Sequence, residues 1–76
     1  MNRQKNKELT HDVIEKRKKL KLTQCDVANR LGYNFMQSYN NFESGGRLLP
    51  VKKLALLQEV LQMTDEEMWN IVKNWN

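Results

Sequence analysis

The stretch from Thr23 to Gly45, TQCDVANRLGYNFMQSYNNFESG, sets the narrowest limits on how this chain can fold. Val27, Ala28 and Leu31 recur at helical spacing on one face of a short helix. Gly32 ends that helix, because glycine takes the left-handed conformation that closes helix C-termini. A second helix is expected from about Asn34, a capable N-cap, to Ser44, with Gly45 as its stop. Tyr39 and Phe42, three apart, face inward on it, and Phe35, four before Tyr39, is expected to join them. Ala28 and Gly32 are both small and four apart, which gives the two helices a tight turn.

The outer face of the second helix is unusual. The eleven residues from Gly32 to Phe42 carry no charged side chain, in a chain that is 29% charged. A solvated helix ordinarily keeps Lys and Glu outside. Here Met36, Gln37, Ser38, Asn40 and Asn41 face out instead. Asn and Ser are poorer helix formers than Ala by up to about 0.7 kcal/mol each, and local conflicts of this kind mark functional sites. Gln and Asn can each give and take one hydrogen bond on the same base edge. The expectation is a helix-turn-helix whose second helix enters the major groove of DNA.

Length and composition bound the rest. Seventy-six residues with one cysteine fit a single domain with a modest core, without a disulfide framework or a multi-cysteine metal site. Single Cys25 fits a reducing cytoplasm. No apolar run approaches the roughly 18–20 residues that span a bilayer, and the polar N-terminus lacks a signal-peptide core, so a cytoplasmic location is expected. Charge is uneven: residues 1–53 carry 12 Lys/Arg against 5 Asp/Glu, and residues 54–76 carry one Lys against 4 acids. A basic front fits a polyanion and a mildly acidic tail fits protein or water. Catalysis is not expected. There is no Ser/His/Asp set, no glycine-rich phosphate loop and no metal cluster, and His11 has no second ligand one turn away. No cofactor, metal or small-molecule ligand is indicated.

Five helices are expected in all. Residues 1–8 read as a basic arm whose Arg3, Lys5 and Lys7 either touch phosphates or are simply solvated. Leu9, Val13, Ile14 and Leu20 mark a first helix from about Leu9 to Leu20. Its outer face collects Lys16, Lys18, Lys19 and Lys21, either near a DNA backbone or complementing the helix dipole. Arg17 lies beside the apolar stripe, where a guanidinium needs a carboxylate partner. Glu43 is the candidate, since an acid near a helix C-terminus opposes the dipole. Thr23 and Asp26 form a short capping box, with Gln24 in the first turn where it can meet an anion. Arg47 follows the Gly45–Gly46 loop. Pro50 starts a fourth helix with Leu54, Leu57 and Leu61 inside and Val51 and Val60 alongside; Lys52 and Lys53 at its start hint at a nearby phosphate or acid. Thr64–Asp65–Glu66–Glu67 opens a fifth helix over about 64–76, stapled by Met63 and Met68. Met68, Trp69, Val72 and Trp75 on it are candidates for a two-fold interface or for wrapping back onto the core.

Residues 14–61 resemble the lambda-repressor-like, Cro-type (XRE-type) helix-turn-helix family. The pattern is Arg17, Leu22–Thr23–Gln24, Val27–Ala28, Leu31–Gly32, Glu43, Gly45, Pro50 and the leucines of the fourth helix. The resemblance implies an all-α, compact five-helix DNA-binding domain over residues 9–76, with the helix-turn-helix at about 23–45. It implies a buried Arg17–Glu43 ion pair. It implies a phosphate contact from Gln24; Thr23, Arg47, Lys52 and Lys21 are further phosphate candidates by their own positions in the chain. It implies base contacts from Met36, Gln37, Ser38, Asn40 and Asn41, with Gln37 and Asn41 foremost. The chain departs from the pattern in a turn one residue longer after Gly32, and in Tyr39 and Phe42 where aliphatic residues are usual.

The function expected from these residues is sequence-specific binding of double-stranded DNA by a transcription regulator. It is expected to be a repressor that binds a palindromic operator as a homodimer. A restriction–modification controller or an antitoxin would use the same binding mode. A helical protein-interaction adaptor is the reading of another class, motivated by the apolar face of the last helix.

Overall fold

Six helices make up the described part of the chain, which in this computed structural model is residues 3–76. They are α1 (Arg3–Leu9), α2 (His11–Lys19), α3 (Gln24–Arg30), α4 (Gln37–Glu43), α5 (Val51–Leu61) and α6 (Asp65–Asn74). No strand occurs among the described residues, and none of their helices is long and apolar enough to cross a membrane. The α5 stripe of Leu54, Leu57 and Leu61 is buried and contributes roughly 1.5–3 kcal/mol per side chain. α2, α3 and α6 pack on α5, while α4 packs on α2 and α3, and α1 on α2 and α6.

The five-helix expectation is corrected to six. The residues taken as a basic arm are helical from Arg3 onward; Met1 and Asn2 lie outside the described residues. What holds this segment is a polar anchor, invisible to apolar periodicity. Asn6 is fully buried. Its Nδ2 donates to the Gly45 carbonyl (3.1 Å) and the Asn76 carbonyl (2.8 Å), and its Oδ1 accepts the Asn76 N–H (2.9 Å). α1 and α2 nearly form one helix: Thr10 N–H bonds the Asn6 carbonyl and Ile14 N–H bonds the Thr10 carbonyl. The buried Thr10 hydroxyl has one proton to give, and its shorter contact is the Glu43 carbonyl at 2.8 Å, ahead of Lys7 at 3.1 Å.

Both expected capping boxes form. Thr23 and Asp26 exchange hydrogen bonds of 2.9 and 3.0 Å, and Thr64 and Glu67 bonds of 2.9 and 3.1 Å. The backbone N–H donated to each carboxylate holds Asp26 and Glu67 below the usual carboxylate range. Met63 and Met68 are buried as the expected staple. Val51, expected alongside the core, is 82% exposed: it is the first residue of α5, a turn ahead of Leu54, where the buried stripe begins.

Four helices end in the same paired hydrogen-bond motif, with a left-handed residue after the last turn. Those residues are Lys21, Gly32, Gly45 and Gln62. At α3, Tyr33 N–H reaches the Ala28 carbonyl and Gly32 N–H the Asn29 carbonyl, both at 3.0 Å. At α5, Met63 N–H reaches Gln58 at 2.9 Å, but the left-handed position is Gln62, at φ 56°. A side chain there costs about 1–2 kcal/mol, partly offset by the extra freedom glycine gives the unfolded chain. Gln62→Gly is therefore expected to stabilise the domain by about 0.5–1 kcal/mol, read from the urea midpoint at unchanged slope.

Candidate functional site

α4 is seven residues long, too short to hold its shape alone, so its outer face is only as ordered as its seat. Two aromatic rings make that seat. Tyr39 and Phe42 are fully buried, with ring centroids 6.1 Å apart, and Phe42 stacks on Trp75 of the chain beyond α6 at 5.6 Å and 17°. Tyr39 and Phe42 thus fill a core that reaches across to the segment after the last helix.

An ion pair fixes the other end. Arg17 Nε donates to Glu43 Oε2 at 2.7 Å and Arg17 Nη2 to Glu43 Oε1 at 3.2 Å, while Nη1 donates to the Leu22 carbonyl at 2.9 Å. Gln24 Nε2 adds a bond of 2.8 Å to Glu43 Oε1. Both partners of the pair are buried. The Glu43 hydrogen bond raises the Arg17 pKa above its ordinary value, against the opposing effect of burial. Burial pushes the nearby Tyr39 phenol well above its usual range, with Glu43 adding to the rise and Arg17 opposing it. The Tyr39 hydroxyl is buried without a hydrogen bond of standard geometry among the described residues.

Gln37, Ser38 and Asn41 line one open groove of about 500 Å³ with Tyr33, Arg47 and Pro50. Gln37 and Ser38 are exposed and Asn41 is half-buried. This places four of the expected contact residues together: three neutral side chains and one cation. Gly46 lies at the end of the same helix. A β-carbon there would come within 2.6 Å of Arg3 Nη2 and closer still to Asn41 Oδ1.

Other expected residues stand elsewhere. Helix α4 begins at Gln37 rather than near Asn34, because the paired bonds to Ala28 and Asn29 close α3 at Gly32–Tyr33 and the chain then bends through Asn34 and Phe35 to a turn at Met36. Met36 becomes the residue just ahead of the helix and is 40% exposed. Phe35 points out at 79% exposure instead of joining Tyr39. Asn40 is half-buried, and its Oδ1 is enclosed without a partner among the described residues. Gln24 spends one amide proton on Glu43, so it braces the buried pair before it can serve an anion. Thr23 turns its hydroxyl oxygen to Asp26 N–H. Lys21 and Lys52 are exposed. Lys16 pairs with Glu67 of α6 at 3.5 Å, and Lys18 and Lys19 line a groove with that pair, so this basic cluster faces α6 and not α4.

Lys53, read as a hint of phosphate or acid, has an internal role. Its Nζ donates to the Leu31 carbonyl at 2.5 Å and sits 4.9 Å from the centre of the Tyr33 ring. Of the interface candidates, Met68 is buried and Trp75 is held against Phe42. Val72 is half-buried against the core. Trp69 alone of the four is largely exposed, at 60%, and borders an apolar groove with Val51, Ala55 and Leu48. Set against known proteins, the chain matches no family model, no curated protein and no solved structure.

Proposed function

We propose that this domain is a sequence-specific double-stranded DNA-binding transcription regulator, with α3 and α4 as a helix-turn-helix and α4 as its recognition helix. The observation that carries the reading is the groove in which Gln37, Ser38 and Asn41 stand beside Arg47. Neutral amides and a hydroxyl suit base edges, which offer donors and acceptors without net charge. A cation at the margin suits a backbone phosphate, which fixes register without reading sequence. The buried Arg17–Glu43–Gln24 cluster behind α4 supplies the rigidity that base readout needs. In this reading a symmetric repressor dimer binds a palindrome, with its two recognition helices one helical turn apart. Half-sites lie about 34 Å apart along one face of the duplex, and one protomer measures 26 Å along its longest axis.

The test is selection from random double-stranded DNA by the folded protein at about physiological salt. An enriched palindrome is expected. Gln37→Ala should then lose about 1–3 kcal/mol of discrimination at one base pair of each half-site. Arg47→Ala should weaken all sequences alike and flatten the salt dependence by about one phosphate contact. Equal losses on selected and random DNA for Gln37→Ala would remove it from the base readers. The apolar groove beside Trp69 favours the second reading, a protein-interaction adaptor. A folded protein that enriches no DNA at all would move the assignment there.

A further inference from the structure

The first helix carries a cation to the recognition face. α1 is docked there by backbone packing, because the bare α-carbon of Gly45 abuts it. A β-carbon at Gly45 would lie 2.5 Å from the Arg3 carbonyl oxygen and 2.7 Å from Lys7 N. Asn6 ties the same turn through the Gly45 carbonyl. The backbone of Arg3 is therefore held against the end of α4. From that position its guanidinium and the Asn41 amide oxygen converge on one small space above Gly46, which the missing side chain of Gly46 leaves open. Gly46 N–H also donates to the Asn41 backbone carbonyl at 2.9 Å, which fixes the Gly46 backbone against the end of α4.

Two physical consequences follow. The last turn of α4 has no basic residue of its own, and Arg3 supplies positive charge at its carbonyl end. The Asn41 amide has two orientations of similar shape and opposite hydrogen-bonding sense. A guanidinium beside it favours the orientation with Oδ1 toward Arg3 and the Nδ2 protons toward the groove.

We propose that Arg3 is a specificity-determining positioning residue, which orients the Asn41 amide and so sets the base edge that Asn41 reads. The proposal rests on the DNA-binding reading above. It differs from a phosphate contact by Arg3, because a positioning role acts only through Asn41.

The experiment is a double-mutant cycle in the full chain, with Arg3→Ala, Asn41→Ala and the pair, each measured on the selected site and on every single-base variant of it. Arg3→Ala is expected to lower discrimination about tenfold at the same base pair as Asn41→Ala. The double variant should be no worse than Asn41→Ala alone. Gly46→Ala should reproduce Arg3→Ala, since its methyl group displaces both side-chain ends, and Gly46 lies outside the left-handed region that Gly32 and Gly45 occupy. Uniform, additive losses would overturn the proposal in favour of a phosphate contact, and unchanged binding would overturn it outright. A readout on the free protein separates this from failure of the DNA reading. The Asn41 side-chain amide resonances should shift and broaden in Arg3→Ala; if they do not, the coupling is absent whatever the protein binds. If they shift but no DNA is enriched, the DNA reading fails, and the specificity role fails with it.

Discussion

Glu43→Ala is expected to be the most damaging single truncation outside the apolar core, costing about 3–5 kcal/mol. The carboxylate accepts from Arg17 twice and from Gln24 once, inside the fold. Removing it leaves a buried guanidinium and a half-buried amide without their acceptor, and the loss of an uncompensated charge outweighs the methylenes removed. A domain of this size is stable by roughly 0.05–0.15 kcal/mol per residue, about 4–11 kcal/mol in all, so a large share of its stability is at stake. Arg17→Met/Glu43→Leu is expected to recover much of the loss, because a buried pair replaced by apolar side chains of similar volume no longer carries its desolvation cost. Urea unfolding of the wild type, both single variants and the pair measures this. A Glu43→Ala loss below about 1 kcal/mol would mean that water reaches the site and that the pair is not what seats α4.

Gly45→Ala comes second, at roughly 2–4 kcal/mol. Two costs add. The residue sits at φ +83°, and its β-carbon would strike the Arg3 carbonyl and Lys7 N of α1. Neither backbone atom can swing away as a side chain can. Relief requires α1 to retreat, which breaks the Asn6 bond to the Gly45 carbonyl. The variant should unfold at lower urea, and α1 should lose amide protection ahead of α5. Equal protection of both helices would show that α1 yields without undocking.

Much of this was legible in the residues because the governing signals are local. Thr23–Asp26 and Thr64–Glu67 announce their own helix starts, Gly32 and Gly45 their stops, and the leucines of α5 their shared face. Arg17 and Glu43 were readable as partners because each is out of place in its own helix. The misses have a common cause in contacts between residues far apart in sequence. Asn6 and Thr10 are polar, so nothing in their spacing marks them as buried. Lys53 answers a carbonyl on another helix, 22 residues away. Phe35 had the right spacing for the core, but the three residues ahead of α4 are not helical, so the spacing did not apply. At the site, the exposure of Gln37 and Ser38 followed from helix periodicity. The enclosure of Asn40 and the approach of Arg3 to Asn41 depend on tertiary packing, and could not.

The clasp between Asn6 and Asn76 has a kinetic consequence. It joins residues 70 apart, and the ring under α4 is completed by Trp75 from the same far segment. High sequence separation delays such contacts, since their loop entropy must be met before they contribute. The face of α4 is thus a late product of cooperative folding, although its own residues are contiguous. An opening at Asn6 or at the Trp75–Asn76 segment is transmitted to the outer face of α4, so the order of that face depends on the integrity of the whole fold.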